Sequence, residues 1–203
     1  MDNKITDLYK ALRKKHGRPS GQWRLWCKRP KSTAEREEVI IGAILAQNTN
    51  WKNVELSLNK LKKAKRCSLD EIYKLGKRNM PGLAELIRPS GFYNSKAKYL
   101  LAAAAFFCEN GGVERIKNQK IKKSRKQLLE LKGVGPETAD SILLYALDKP
   151  AFVIDEYTRR ILNYDRLQKI FESRLPRNYK AYQDFHALIV IEGKGYPGLT
   201  NHS

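Results

Sequence analysis

Cysteine is scarce in this 203-residue chain: Cys27, Cys67 and Cys108 are the only three, each far from the others in sequence. A zinc site needs closely spaced ligand pairs, and a cysteine-ligated iron–sulfur cluster needs four thiolates. No metal and no iron–sulfur cluster are therefore expected within the chain, and the three thiols read as inert. Long apolar runs are missing too. None approaches the ~18–20 residues that span a bilayer, and no basic stretch followed by an apolar one opens the chain. The opening MDNKITDLYKALRKKHG reads instead as an amphipathic helix. These absences point to an intracellular protein of the cytoplasm or nucleoid, without membrane attachment. Strand alternation is also lacking. AFVID (151–155) is too short to build a sheet, and no repeat period is visible.

Acidic residues are in short supply: 21 Asp and Glu stand against 40 Lys and Arg, giving a net charge of +19. The pI near 9.9 lies above the ~9 that marks a nucleic-acid footprint. Phosphate neutralisation with counterion release is the natural use of such a surface. The alternative is a basic face that water alone solvates.

What fills the chain is helical periodicity. Apolar stripes predict helices over 37–47, 53–65, 68–76, 94–112, 124–133 and 136–147, with others at 156–162, 164–173 and 179–193. Ser68 and Glu71 have capping-box spacing, and Gly76 reads as a helix stop. Residues 79–91 form a short helix closed by Pro89 and Gly91. The tail 193–203, with three Gly and one Pro, is expected to fray. The fold class is all-α.

One segment carries chemistry. LKGVGPETAD (131–140) sets Gly133 and Gly135 in a tight turn ahead of a helix that starts at Pro136. Glycines let a phosphate approach the backbone, and the amides that open the helix point at it. Lys132 adds charge. With Val134 between the glycines, this is a helix-hairpin-helix that positions duplex DNA without reading its sequence. An ordinary αα-turn is the plainer reading. Eighteen residues after Glu137, Asp155 ends the apolar run AFVID.

The run from LKGVGPETAD through FVIDEYTRRI (152–161) resembles the endonuclease III superfamily of DNA glycosylases. GAILAQNTNW (42–51) resembles the family segment whose Gln enters the DNA. IRPSGFYNSKAKYL (87–100) resembles its GLYNSKA element, and FHALIV (185–190) its last helix. The resemblance covers roughly 37–193 and is closest to the 3-methyladenine glycosylases of endonuclease III type. It implies two helical lobes with a DNA cleft between them. One lobe is 37–150, ending in the hairpin; the other joins 1–36 to 151–203.

Carried over residue by residue, the family's essential Asp is Asp155, and the lysine of its lyase-active members is replaced by Glu137. A lysine amine can form a Schiff base with the sugar; a carboxylate cannot. The resemblance thus implies a glycosylase without lyase activity, acting as a monomer on double-stranded DNA that carries a damaged base. In this reading Asp155 stabilises the oxocarbenium-like sugar and orients water. Glu137 either assists in the pocket or simply suits the first turn of its helix. Gln47 fills the gap left by the flipped base, or else caps a helix. Trp51 and one of Trp23 and Trp26 stack on that base, where cation–π attraction favours an N-alkylated purine such as 3-methyladenine; a purely core role is the alternative for each.

No cofactor is required, although Na⁺ or K⁺ on the backbone of Leu131, Gly133 and Val134 is compatible with the family hairpin. Relatives often carry an iron–sulfur cluster after the last helix; this chain has no cysteine there, and its segment around Asn163 and Tyr164 looks shortened. The basic run 117–126, just before the hairpin, is a candidate to replace the lost DNA contacts, whereas 60–66 reads instead as a solvated helix face. Rival functions on the same fold are removal of uracil, mismatched thymine or oxidised bases. A rival of another class is a non-catalytic DNA-binding module, for which a carboxylate facing the DNA has no use.

Overall fold

The computed structural model describes residues 4–161 and 177–195, and among these there are helices and turns but no strand. The helices are α1 Lys4–His16, α2 Trp23–Trp26, α3 Thr33–Leu45, α4 Trp51–Lys63, α5 Leu69–Arg78, α6 Met80–Leu86, α7 Tyr93–Glu109, α8 Gly112–Lys117, α9 Ile121–Leu129, α10 Pro136–Ser141, α11 Glu156–Ile161 and α12 Tyr179–Lys194. A 3₁₀ turn, Arg88–Ser90, links α6 to α7, and α10 runs on into a π-helical turn, Ile142–Ala146. The all-α expectation holds. The helix expected at 164–173, the segment around Asn163 and Tyr164, and the tail beyond Gly195 lie outside the described residues.

Helix α3 forms the centre. Every residue from Val39 to Leu45 is buried, so this helix is apolar on all sides and packs against α4, α7 and the π turn. It starts four residues before the stripe suggested. Ser32 accepts from the Glu35 amide, and the Glu35 carboxylate accepts from the Ser32 amide, a complete capping box. The box expected at Ser68 is only half made: Ser68 accepts from the Glu71 amide, while the Glu71 carboxylate turns to Arg66 and Lys74.

Gly76 does not end a helix. It lies inside α5, where a Cβ would stand 3.0 Å from Leu101 of α7. The glycine therefore serves close packing of α5 on α7, and an Asn cap at Asn79 makes the stop instead. The C-terminal end of α3 is held by Lys96. Its buried ammonium donates to Leu45 O at 2.8 Å and to Ser90 O at 2.6 Å, and burial pushes it down to about 8. That clamp fixes the chain direction into Gln47.

The N-terminal helix α1 packs on α12. Arg13 and Arg29 converge on Asp184 at 3.1 and 2.7 Å, and Lys15 and His16 both reach Glu192. Helix α11 also packs on α12, which brings the turn before α11 beside the buried face of the last helix.

Candidate active site

The hairpin joins α9 to α10. Gly133 has φ +81, and a Cβ there would fall 2.2 Å from the Tyr99 ring, so backbone and packing both demand glycine. Gly135 differs from expectation. Its φ of −83 and ψ of 177 are open to any residue, and no atom lies within 4 Å of where its Cβ would be. The fold does not require glycine at 135. The amides of Gly133, Gly135, Glu137 and Thr138 have no acceptor among the described residues, and Lys132 is exposed beside them. Val134 is buried and anchors the loop. Leu131 O accepts from the Val134 amide, and Gly133 O from Gln47. Each carbonyl keeps a second lone pair, so this neutral oxygen set is one a monovalent cation could share.

Arg125, within the basic run 117–126, serves the scaffold. It binds Asp140 through two bonds of 2.7 and 3.0 Å and ties α9 to α10. Its neighbours Lys122, Lys123 and Lys126 remain exposed. The Gln47 side chain turns toward the hairpin, donating to Gly133 O at 2.8 Å and to Thr138 Oγ1 at 3.0 Å.

Behind the hairpin is a cavity of about 450 Å³, and it brings together Trp23, Trp26, Gln47, Trp51, Glu137 and Asp155. Both candidate tryptophans, Trp23 and Trp26, thus reach it. Trp26 is the hinge of the aromatic wall: it meets Trp23 edge-on at 5.8 Å and Trp51 edge-on at 5.7 Å. Trp23 and Trp26 are buried, while Trp51 is half-exposed and its indole N–H donates to Glu55.

Asp155 is 8% exposed at the cavity floor. Its Oδ1 caps α11, accepting from the Thr158 amide at 2.7 Å and from the Thr158 hydroxyl at 2.8 Å. Its Oδ2 faces His186 Nε2 at 3.2 Å. Burial alone would raise this carboxyl; the charge and hydrogen bond of His186, with the two bonds from Thr158, outweigh it and hold the acid below its ordinary value. Glu137 moves the other way. It is exposed on one side but lines the cavity with the other, and loss of water together with the nearby Asp155 charge raises it. Two carboxyl groups pushed in opposite directions in one cavity is the arrangement expected of acid–base machinery.

Two cavity residues, Lys194 and His186, and one exposed aromatic, Phe92, were not singled out in the sequence. Lys194, at the end of α12, reaches the cavity and donates to Gln22 Oε1 at 3.0 Å; partial burial lowers its ammonium, with the Asp155 charge opposing. His186 is 4% exposed within the apolar run FHALIV. A histidine in such a run was the available signal. Phe92 is 69% exposed and left-handed at φ 45, one turn before the Lys96 clamp.

Known proteins share this architecture. Residues 41–178 match the family model described as HhH-GPD superfamily base excision DNA repair protein. A Methanocaldococcus jannaschii protein, named only as a candidate DNA repair glycosylase, is 46% identical over 174 residues, covering 79% of this chain and 78% of its own. Endonuclease III of Thermotoga maritima is 31% identical over 125 residues, 62% of this chain and 54% of its own. Among solved structures, the H. pylori 3-methyladenine DNA glycosylase MagIII, bound to 1,N6-ethenoadenine, superposes with a TM-score of 0.77 at 30% identity. That superposition covers 94% of this chain and 97% of MagIII.

Proposed function

From the premise that this chain belongs to the HhH-GPD superfamily of base excision DNA repair glycosylases, we propose that it hydrolyses N-alkylated purines, 3-methyladenine foremost, from duplex DNA and lacks lyase activity. One observation carries this reading: the aromatic cavity holds two carboxylates, Asp155 and Glu137, and the hairpin-helix position of a lyase lysine is filled by Glu137.

The hairpin amides and Lys132 hold a phosphate, with Na⁺ or K⁺ on the Leu131, Gly133 and Val134 carbonyls as an optional support. Gln47 fills the gap from which the base has turned out. The base enters the cavity between the tryptophans, where a cationic purine is attracted by their faces and where its charge already makes it a good leaving group. As the glycosidic bond lengthens, positive charge grows on the sugar. Asp155 stays ionised and is itself nearly closed to water, so its carboxylate opposes that charge strongly. Water completes the substitution, with Asp155 as the base. The +19 charge supports a duplex partner, and a monomer suffices because every group invoked lies on one chain.

The test is a panel of duplexes bearing 3-methyladenine, 1,N6-ethenoadenine, uracil or 8-oxoguanine, assayed for base release with and without borohydride. Release of the alkylated purine with no trapped protein–DNA adduct is expected. Release of none of these bases favours a binding module. A trapped adduct would refute the absence of lyase chemistry, and its loss in Lys194→Gln would identify Lys194, the remaining cavity amine, as the nucleophile.

A further inference from the structure

Asp155 does not stand alone on the cavity floor; it ends a buried chain of polar groups. His186 Nε2 lies 3.2 Å from Asp155 Oδ2, and His186 Nδ1 lies 2.7 Å from the Tyr145 hydroxyl. That hydroxyl also reaches Gln183 O at 3.2 Å. Tyr145 is fully buried in the π turn, and the imidazole is enclosed by Trp23, Tyr145 and Phe152, with ring centroids 5.8, 5.8 and 6.3 Å away. Enclosure leaves the imidazole little freedom to rotate.

The ionised Asp155 calls for a proton on Nε2, and Tyr145 accommodates either charge state of the ring. If the Tyr145 hydroxyl donates to Nδ1, the neutral imidazole carries its proton on Nε2 and donates to Asp155. If the imidazole is charged, Nδ1–H donates to the tyrosine oxygen and the hydroxyl turns to Gln183 O. In both states Nε2–H points at Asp155 Oδ2. Because Oδ1 already takes two bonds from Thr158, the remaining acceptor capacity of the carboxylate sits on Oδ2, in the direction His186 leaves open.

Resting on the glycosylase reading above, we infer that His186, locked by Tyr145, is a positioning residue that holds Asp155 with the free side of Oδ2 turned to the substrate sugar. Tyr145 is the second member of the device. Its hydroxyl meets Nδ1 as donor or acceptor and holds the ring in place, while the ionised Asp155 calls for the proton on Nε2. The charges around His186 are few and come from every side. Asp155 precedes α11, Glu137 lies on α10, and Lys194 stands two turns along α12. Asp184 acts through Tyr145, while the nearby Cys27 thiol, pushed up to about 12 by burial, is uncharged.

The experiment compares the wild type with His186→Gln, His186→Ala and Tyr145→Phe. Glutamine retains an N–H donor of similar reach; alanine retains none. On methylated duplex DNA, kcat is expected to fall about 10²-fold in the alanine variant through misplacement of the carboxylate. In the glutamine variant it should be largely restored, with DNA affinity unchanged in both. The acid limb of the kcat profile should move to higher pH in the alanine variant, because the carboxyl loses the charge and hydrogen bond of His186.

A second readout needs no turnover. Carbon-13 NMR follows the Asp155 carboxyl, and nitrogen-15 NMR of the chain's three histidines reports the proton on His186 Nε2. The carboxyl should titrate highest in His186→Ala and lower in His186→Gln, which keeps the hydrogen bond to Oδ2 but not the charge. Identical titration in all variants, or a glutamine variant as impaired as alanine, would overturn the inference. Wild-type protein that releases no base refutes the glycosylase reading, while the NMR titration still decides this one. If alanine prevents folding, the glutamine and phenylalanine variants carry the comparison.

Discussion

Asp155 has two jobs in one side chain, and substitutions can separate them. It caps α11 through Oδ1 and faces the cavity through Oδ2. Asp155→Asn keeps an oxygen for Thr158 and presents an amide to His186. The imidazole can answer by moving its proton to Nδ1, since Tyr145 can then donate to Gln183 O. The cap therefore survives, and stability should change little. The negative charge does not survive. Removing one preorganised electrostatic partner of a transition state costs about 10²–10³ in rate, or about 2.7–4 kcal/mol.

Asp155→Ala loses the charge and the cap together. Cap removal costs roughly 1 kcal/mol, and leaving the buried Thr158 and His186 donors unmatched adds roughly 1–3 kcal/mol. At roughly 2–4 °C per kcal/mol for a chain of this size, the melting temperature should fall by roughly 5–15 °C. The assay is single-turnover base release under saturating enzyme, paired with thermal melts. An Asn variant that melts like the wild type and releases base at the wild-type rate refutes the catalytic assignment. An Asn variant that melts as low as Ala refutes the proposed separation of cap and charge.

The remaining predictions follow from the hairpin and from Glu137. Gly133→Ala should destabilise by well over 1 kcal/mol, because it adds left-handed strain to a clash with Tyr99; denaturant melts measure it. Gly135→Ala should leave stability unchanged and weaken duplex binding in a fluorescence titration, since only an approaching backbone phosphate would meet the new methyl; unaltered affinity would remove the phosphate from this position. Glu137 binds its proton more tightly folded than unfolded, so its contribution to stability is greatest at low pH and falls as pH rises through its raised value. Glu137→Gln should therefore gain stability at neutral pH and lose that gain below about pH 4, near the unperturbed carboxyl value. Glu137→Lys places an amine in the same cavity, and borohydride should then trap a DNA adduct absent from the wild type.

The helical class was legible because long stripes such as 37–47 repeat with the helical period, and tertiary packing agreed with them. Asp155 and Glu137 were legible from the run AFVID and the hairpin, the tryptophans only through the family resemblance of 42–51 and WRLW, and the structure gathers them around one cavity. Glycine misled twice. At Gly76 a stop signal and a packing requirement look alike in sequence, and at Gly135 the conformation turned out to be ordinary. Ser32 and Glu35 had the spacing of a capping box and were passed over because the apolar stripe begins later. His186 and Tyr145 were hidden for a different reason. Each sits where periodicity asks only for a buried residue, and their partners come from distant segments, 31 residues away for Asp155 and 41 between the two themselves.

The π turn gives that partnership a geometric origin. Leu147 N bonds to Ile142 O across a ring one residue wider than an α-turn. The carbonyls exposed where it ends are taken by side chains, Leu144 O by Gln183 and Ala146 O by the buried Arg36. A wider ring advances each residue through a smaller angle, so the helix falls out of phase with the surface it began on, and Tyr145 faces α12. The partner of His186 is thus specified by residue count as much as by residue type. Deleting one apolar residue from 142–144 would conserve the composition of the core yet rotate the hydroxyl away from His186, a lesion that looks mild in an inventory of side chains and severe in the phase of the helix.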